Sequence, residues 1–177
     1  NSDGTLERRK AQLVLLGNLQ RPFVDFYDTY APVADFVVVR IVLATACSKH
    51  WIVHQLDVKS AFLNGYIDEE IYMQLPPEYA RADGKVCKLK RSIYGLRQAP
   101  RAWNKRLCED LKGSGFKALV NAESVFYGVI TGSVVYLIIY VDDILVASSS
   151  ETAVLTAKKS LRELYKIKDL GDAEYFL

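Results

Sequence analysis

The chain has 177 residues, half of them hydrophobic, with 23 Lys and Arg against 21 Asp and Glu and a formal net charge of +2. That is apolar mass for one core, or two small lobes sharing one. The near-balance of charge excludes a globally basic nucleic-acid binder, so any such contact must come from local basic patches. Cys47, Cys87 and Cys108 are odd in number and far apart, which argues against a disulfide framework and for a reducing compartment. With His50 and His54 they do not complete a tetrahedral zinc set. The polar, charged start over residues 1–10 is no signal peptide. The longest apolar run, 134–140, is too short to cross a bilayer, so no membrane role is expected.

In chain order, residues 13–16 form a short apolar strand candidate, and 21–32 an extended aromatic connector. Pro32 suits the first turn of a helix over 33–49, which is apolar on most faces, as in a buried helix, although its β-branched residues leave a strand open. Residues 52–58 read as a strand ending near Asp57, followed by Ala61-Phe62-Leu63 and an Asn64-Gly65 turn. Residues 71–75 and 86–89 are short strand candidates around a polar loop at 81–85. Residues 100–112 form a helix with Trp103, Leu107 and Leu111 on one face, closed by Gly113 and Gly115. Residues 125–130 and 134–140 flank a Thr131-Gly132 hairpin turn, and 143–147 is a further strand. Ser148 with Glu151 fits a capping box opening a helix to about residue 165, with Val154, Ala157, Leu161 and Leu164 as its apolar stripe. Hairpins mixed with helices, rather than regular strand–helix–strand repeats, give an α+β class.

The sharpest chemical feature is Tyr140-Val141-Asp142-Asp143, where two carboxylates interrupt an apolar strand pattern. Two like charges about 4 Å apart near a surface repel by roughly 4 kcal/mol, which a divalent cation would remove. A solvated turn tip is the competing reading, since Asp is an ordinary turn residue. Asp57, at the end of another apolar strand, changes the balance. If that strand lies beside the hairpin, Asp57 and Asp142 face one site, and hard oxygen ligands suit Mg²⁺. Two such ions serve in-line phosphoryl transfer.

Three segments carry a resemblance. "QLDVKSAFLNG" from Gln55, "SIYGLRQAPRAWN" from Ser92 and "YVDDILV" from Tyr140 resemble motifs A, B and C of Ty1/copia-type retrotransposon reverse transcriptases. "YAPVADF", "EEIYMQLPPEY", "VCKLKRSIYGL" and "KDLGDAEYFL" are similar to the same family, in its order and spacing, so that the resemblance covers nearly all of residues 7–177. It implies an α+β right-hand polymerase without a thumb. The fingers would be residues 1–28 and 66–97 and the palm residues 29–65 and 98–177, the palm being an antiparallel sheet packed on helices in a ferredoxin-like βαββαβ order.

By resemblance, Asp57, Asp142 and Asp143 are the catalytic carboxylates. Asp57 and Asp142, with the Val58 carbonyl, would hold two Mg²⁺ (Mn²⁺ being the substitute ion), and Asp143 would bind less directly. Lys10, Ser60, Ala61, Phe62 and Gly95 would contact the nucleotide: Phe62 by excluding a 2′-hydroxyl, Ser60 and Ala61 through backbone amides, and Gly95 by allowing close backbone approach. Arg97, Gln98, Arg101 and Tyr140 would lie along the nucleic acid. Lys88, Lys90, Arg91, Arg97 and Arg101 form the densest basic cluster and suit phosphate contacts, with a solvated face as the alternative. The implied partners are an RNA or DNA template with its primer, deoxynucleoside triphosphates, and the rest of a polyprotein (thumb, ribonuclease H, integrase). The implied location is a cytoplasmic virus-like particle, with the nucleus as the alternative. The chain begins without Met and ends on Tyr175-Phe176-Leu177, so both ends are expected to be cuts through a longer polypeptide.

Departures from the family pattern point the other way. Members read like "YKARLVARG" where this chain has "RKAQLVLLG" from Arg9, so Gln12 stands where an arginine would grip the triphosphate, and Leu15 and Leu16 replace a small and a basic residue. "AESVFYG" from Ala122 lacks the usual Asp-Pro. A degenerate, non-catalytic remnant with at most nucleic-acid binding is therefore the second reading. A palm-like nucleotide cyclase is a third, which motif B and "QLPPEY" do not fit.

Overall fold

The computed structural model describes residues 11–76, 79 and 84–173. Eight strands and three helices alternate along them, in a mixed α/β arrangement built on one antiparallel sheet. The helices are α1 (Phe36–Ser48), α2 (Ala99–Gly113) and α3 (Glu151–Leu164). The strands are β1 (Ile52–Val58), β2 (Tyr72–Met73), β3 (Cys87–Lys88), β4 (Lys117–Leu119), β5 (Ala122–Ile130), β6 (Ser133–Tyr140), β7 (Asp143–Ser148) and β8 (Ile167–Asp172). Six strands form the main sheet in the order β4-β5-β6-β7-β1-β8, every neighbouring pair antiparallel, while β2 and β3 make a separate ribbon. β1, α2, β6, β7, α3 and β8 trace a strand–helix–strand–strand–helix–strand path whose strands are adjacent in the sheet.

Period-two patterning makes this sheet double-sided. Leu137 and Ile139 of β6, Ile144 and Val146 of β7, and Leu56 and Val58 of β1 point one way, into a core with Trp103, Leu107 and Leu111 of α2 and Val154, Ala157 and Leu161 of α3. Ile138 and Leu145 point the other way, against Val38, Val39, Val42 and Leu43 of α1. Burying each such side chain contributes about 1.5–3 kcal/mol, so the central strands are secured from both faces.

Several expectations change. The candidate strand at residues 13–16 is not formed: the segment runs unpaired into a 3-10 turn at Gly17–Leu19, tied by the Leu15 amide to the Tyr94 carbonyl at 2.8 Å. Helix α1 starts not at Pro32 but after Asp35, whose carboxylate caps the Val37 amide at 2.8 Å. It is not wrapped in protein either: only Val39 and Ala46 are fully buried, and Phe36, Val37 and Ile41 are each more than half exposed. The cap of α3 is Ser150, accepting from the Ala153 amide, rather than Ser148, whose hydroxyl donates to the Val134 carbonyl. Leu164, assigned to the buried stripe, is 40% exposed, and the buried lysine Lys158 takes a place in it. Strands β4 and β8 had no sequence-level expectation, and the loop at residues 81–83 lies outside the described residues. All three cysteines are free. Among the described residues no helix is long and apolar enough to cross a membrane.

Candidate active site

The site begins with a hairpin tip that its own sequence does not favour. β6 and β7 are joined by Val141-Asp142 alone, closed by the Tyr140–Asp143 pair. Val141 has φ of 55°, a left-handed conformation that is unfavourable for a β-branched residue and needs outside support. The surroundings hold both tip carbonyls. The Trp103 indole Nε1 donates to the Val141 oxygen at 2.6 Å from the helix side, and the Val58 amide donates to the Asp142 oxygen at 2.8 Å from β1. Trp103 is itself 1% exposed, with Tyr165 edge-on at 5.0 Å. A buried tryptophan and a neighbouring strand thus fix where the Asp pair sits.

β1 brings the third carboxylate. Asp57 and Asp143 are direct cross-strand partners, a relation that puts Cβ atoms about 4.5–5.5 Å apart on one face and is destabilising for two like charges. Leu56 and Val58 enter the helix-side core, so alternation turns Asp57 to the opposite face. Gln55, 9% exposed on that same face, donates its amide to Asp143 Oδ1 at 3.1 Å. Tyr94 responds to this group: burial, and then the charges of Asp142 and Asp57, raise its phenol above the ordinary value.

Three acidic residues from two distant stretches are therefore backbone neighbours at one end of the sheet. Among the described residues no group of three or more His, Cys, Asp or Glu side chains forms a ready-made cage for an ion. The donor set still fits Mg²⁺, which takes hard oxygens and commonly needs only one or two carboxylates, the rest coming from phosphates and water.

The other expected contacts divide. Ser60, with φ of 55°, enters the 3-10 turn Ala61–Asn64. Ala61 is fully buried beneath that turn. Phe62 is half-buried against both the main core and a smaller cluster, with its ring 4.6 Å from Tyr94. Gly95, with φ of 95°, is needed for close approach, but the neighbour is the chain itself: a Cβ there would sit 1.9 Å from the Leu15 carbonyl oxygen. Gln98 is buried rather than facing a template, with its amide bonded to Gln20 and to the Asp25 carbonyl. Arg97 Nε donates to the Gly17 carbonyl at 2.9 Å, and Arg101 pairs with Asp28 at 3.1 Å. Lys88 pairs with Glu70 at 2.7 Å, and Arg91 lies over the Tyr66 ring. Tyr140 packs toward Phe36 of α1 at 6.4 Å. Lys10 lies outside the described residues.

The sequence profile of the family described as "Reverse transcriptase (RNA-dependent DNA polymerase)" matches residues 2–177. The chain belongs to the reverse transcriptase family. It is 41% identical over its whole length to the Retrovirus-related Pol polyprotein from transposon RE1 of Arabidopsis thaliana, covering 12% of that protein. It is 36% identical to the Pol polyprotein from transposon TNT 1-94 of Nicotiana tabacum (all of this chain, 14% of that protein). To the Transposon Ty1-H Gag-Pol polyprotein of Saccharomyces cerevisiae it is 31% identical over 97% of this chain and 9% of that protein. The chain thus spans about an eighth of the plant polyprotein it matches at 41%.

Within this reverse transcriptase domain, reading the sequence missed Tyr94, Gln55 and Trp103 as parts of the site. All three stand inside the recognised motifs. Gln55 had a usable signal, since it lies two residues before Asp57 and hence on the same strand face. Trp103 was assigned to the core, where it lies, but its indole donor had to find an acceptor when buried. Nothing local marked Tyr94: its place beside Asp57 and Asp142 comes from tertiary packing.

Proposed function

We propose that this chain is the fingers-and-palm portion of an RNA-directed DNA polymerase from a Ty1/copia-type LTR retrotransposon, joining deoxynucleotides to a primer 3′-hydroxyl on an RNA or DNA template. One observation carries the reading: Asp57 stands opposite Asp143 in register, beside Asp142 at the hairpin tip. In this reading Asp57 and Asp142, with the Val58 carbonyl, hold two Mg²⁺, and Asp143, oriented by Gln55, supports them. When bound, the ions supply charge neutralisation for the triphosphate and acidify the primer hydroxyl. The chain's own residues place the reacting groups. Trp103 and Val58 fix the hairpin tip, Ser60 and Ala61 present backbone toward the triphosphate, and Phe62 excludes a 2′-oxygen.

The proposed fingers, residues 1–28 and 66–97, draw support from the small cluster in which Leu15, Ile67, Ile71, Leu89, Ile93 and Leu96 pack together, meeting the proposed palm at Phe62 and Ala99. The palm, residues 29–65 and 98–177, contains the six-stranded sheet. Thumb, ribonuclease H and integrase are proposed as parts of the same polyprotein, acting in a cytoplasmic particle or the nucleus.

The test is Mg²⁺-dependent extension of a primed RNA template by the chain joined to a thumb region, with Asp142→Asn as control. Extension that Asp142→Asn abolishes is expected, and extension that survives the substitution contradicts the reading. A second reading, a fold retained without catalysis, draws on Gln12 in place of the expected arginine. Restoring it with Gln12→Arg is expected to lower the KM for nucleotide, and no gain would count against a phosphate-gripping role there.

A further inference from the structure

Phe62 is the residue whose position most needs to be rigid in the proposed reaction. An aromatic ring excludes an extra oxygen only if it cannot give way, and a displacement of about an ångström removes the exclusion. The main chain of Phe62 is well anchored. Its carbonyl accepts from the Gly65 amide at 3.1 Å and from the Ser92 hydroxyl, and Ser92 is fully buried. Gly65 is held in turn, because a Cβ on it would sit 2.7 Å from the Trp103 nitrogen of α2.

The ring has a separate support. Tyr94 packs against it at 4.6 Å with the planes tilted by 56°. Tyr94 is not free to slide: its carbonyl is bonded to the Leu15 amide at 2.8 Å, and the Gly95 that follows is pressed onto the Leu15 backbone. Two motifs far apart in sequence thus meet as one aromatic pair.

We infer that Tyr94 is a positioning residue for sugar selection, buttressing Phe62 so that discrimination between deoxy- and ribonucleotides belongs to the Phe62–Tyr94 pair and not to Phe62 alone. The inference rests on the polymerase reading above, and it extends the device from motif A into motif B. The ring is what matters, so Tyr94→Phe retains the support and Tyr94→Ala or Tyr94→Leu removes it.

The experiment is steady-state incorporation of a deoxy- and a ribonucleotide opposite the same template base, in the polymerase carrying this chain with its thumb. Folding is checked by thermal melting. The ratio of kcat/KM values is expected to stay within about twofold for Tyr94→Phe and to fall roughly tenfold for Tyr94→Ala, mainly through a lower KM for the ribonucleotide. Tyr94→Leu serves if the alanine variant melts early. A Phe62→Val, Tyr94→Ala double variant is expected to discriminate no worse than Phe62→Val alone, because both act on one element. A folded Tyr94→Ala or Tyr94→Leu variant with the parent ratio overturns the inference, as does an equal loss on both nucleotides. An unsubstituted protein with no Asp142-dependent incorporation brings down the polymerase reading first, and this one with it.

Discussion

The sheet and the segment at residues 11–28 are held in opposite ways. The sheet is apolar throughout its middle: Leu56, Leu137, Ile138, Ile144, Leu145 and Val146 are fully buried, with helices against both faces. The 11–28 segment turns most of its apolar side chains outward, with Leu16, Leu19, Phe23 and Tyr27 each about two-thirds exposed or more, while Leu15 packs into the small cluster around Ile71 and Leu96. It is attached instead by polar bonds and a backbone interlock to the motif B loop: Leu15 to Tyr94, Gly17 to Arg97, Gln20 and Asp25 to Gln98, and Asp28 to Arg101. One region is secured by burial and the other by a row of individually modest bonds, each worth about 0.5–1.5 kcal/mol. Arg97, Gln98 and Arg101, three of the four residues expected along the nucleic acid, make this attachment. The candidate carboxylates stand in the first region, and Gln12, where the family pattern has an arginine, stands in the second.

The contrast breaks most visibly at Trp103. Trp103→Ala is expected to lower unfolding free energy by about 3–5 kcal/mol in urea titration, from the cavity and from loss of the bond that holds the strained tip. Next is Asp169, which ties the buried Lys158 at 2.6 Å and Arg162 at 2.6 Å, while Lys158 also donates to His54 Nδ1 at 2.7 Å. Burial alone would raise the Asp169 carboxyl, but its bonds from Lys158 and the Gly171 amide and the two nearby cations hold it below its ordinary 3.8. A depressed folded value contributes stability above the unfolded value that disappears as pH falls through the folded one. Asp169→Asn is therefore expected to cost about 3 kcal/mol at neutral pH by stranding the lysine. The difference from the unsubstituted chain should narrow below about pH 4.

In the other region, Gly95→Ala is expected to detach residues 11–28 with a global cost of about 1–3 kcal/mol. The telltale is faster amide exchange confined to that segment and the 94–98 loop. Leu16→Ser, at a residue 67% exposed, is expected to change stability by less than about 0.5 kcal/mol. A large loss there would show that the segment is held by apolar burial after all.

The same division decides what the sequence reveals. α2 and strands β1, β5, β6 and β7 were readable because their periodicity reports burial that exists: Trp103, Leu107 and Leu111 do share one buried face. α1 misled because an all-round apolar helix reads as surrounded, while here the sheet covers only one side of it. Residues 13–16 have strand composition but no partner edge, and composition cannot supply one. β8 is a short alternating strand with charged residues, and β4 has three residues, too few for a pattern. At the site, the acids were visible as charges interrupting apolar strands. Tyr94 and the inward-facing roles of Gln98 and Gly95 were not, because each depends on a segment remote in sequence: Phe62 for Tyr94, Gln20 and Asp25 for Gln98, and Leu15 for Gly95.

The central claim is that Asp57, Asp142 and Asp143 jointly bind divalent metal, and Mn²⁺ binding to this chain in the presence of a deoxynucleoside triphosphate, followed by electron paramagnetic resonance, tests it most directly. Nucleotide-dependent Mn²⁺ uptake, weakened at least tenfold by Asp57→Asn and by Asp142→Asn in chains that melt normally, is the predicted result. Uptake that is the same in both variants as in the unsubstituted chain would contradict it.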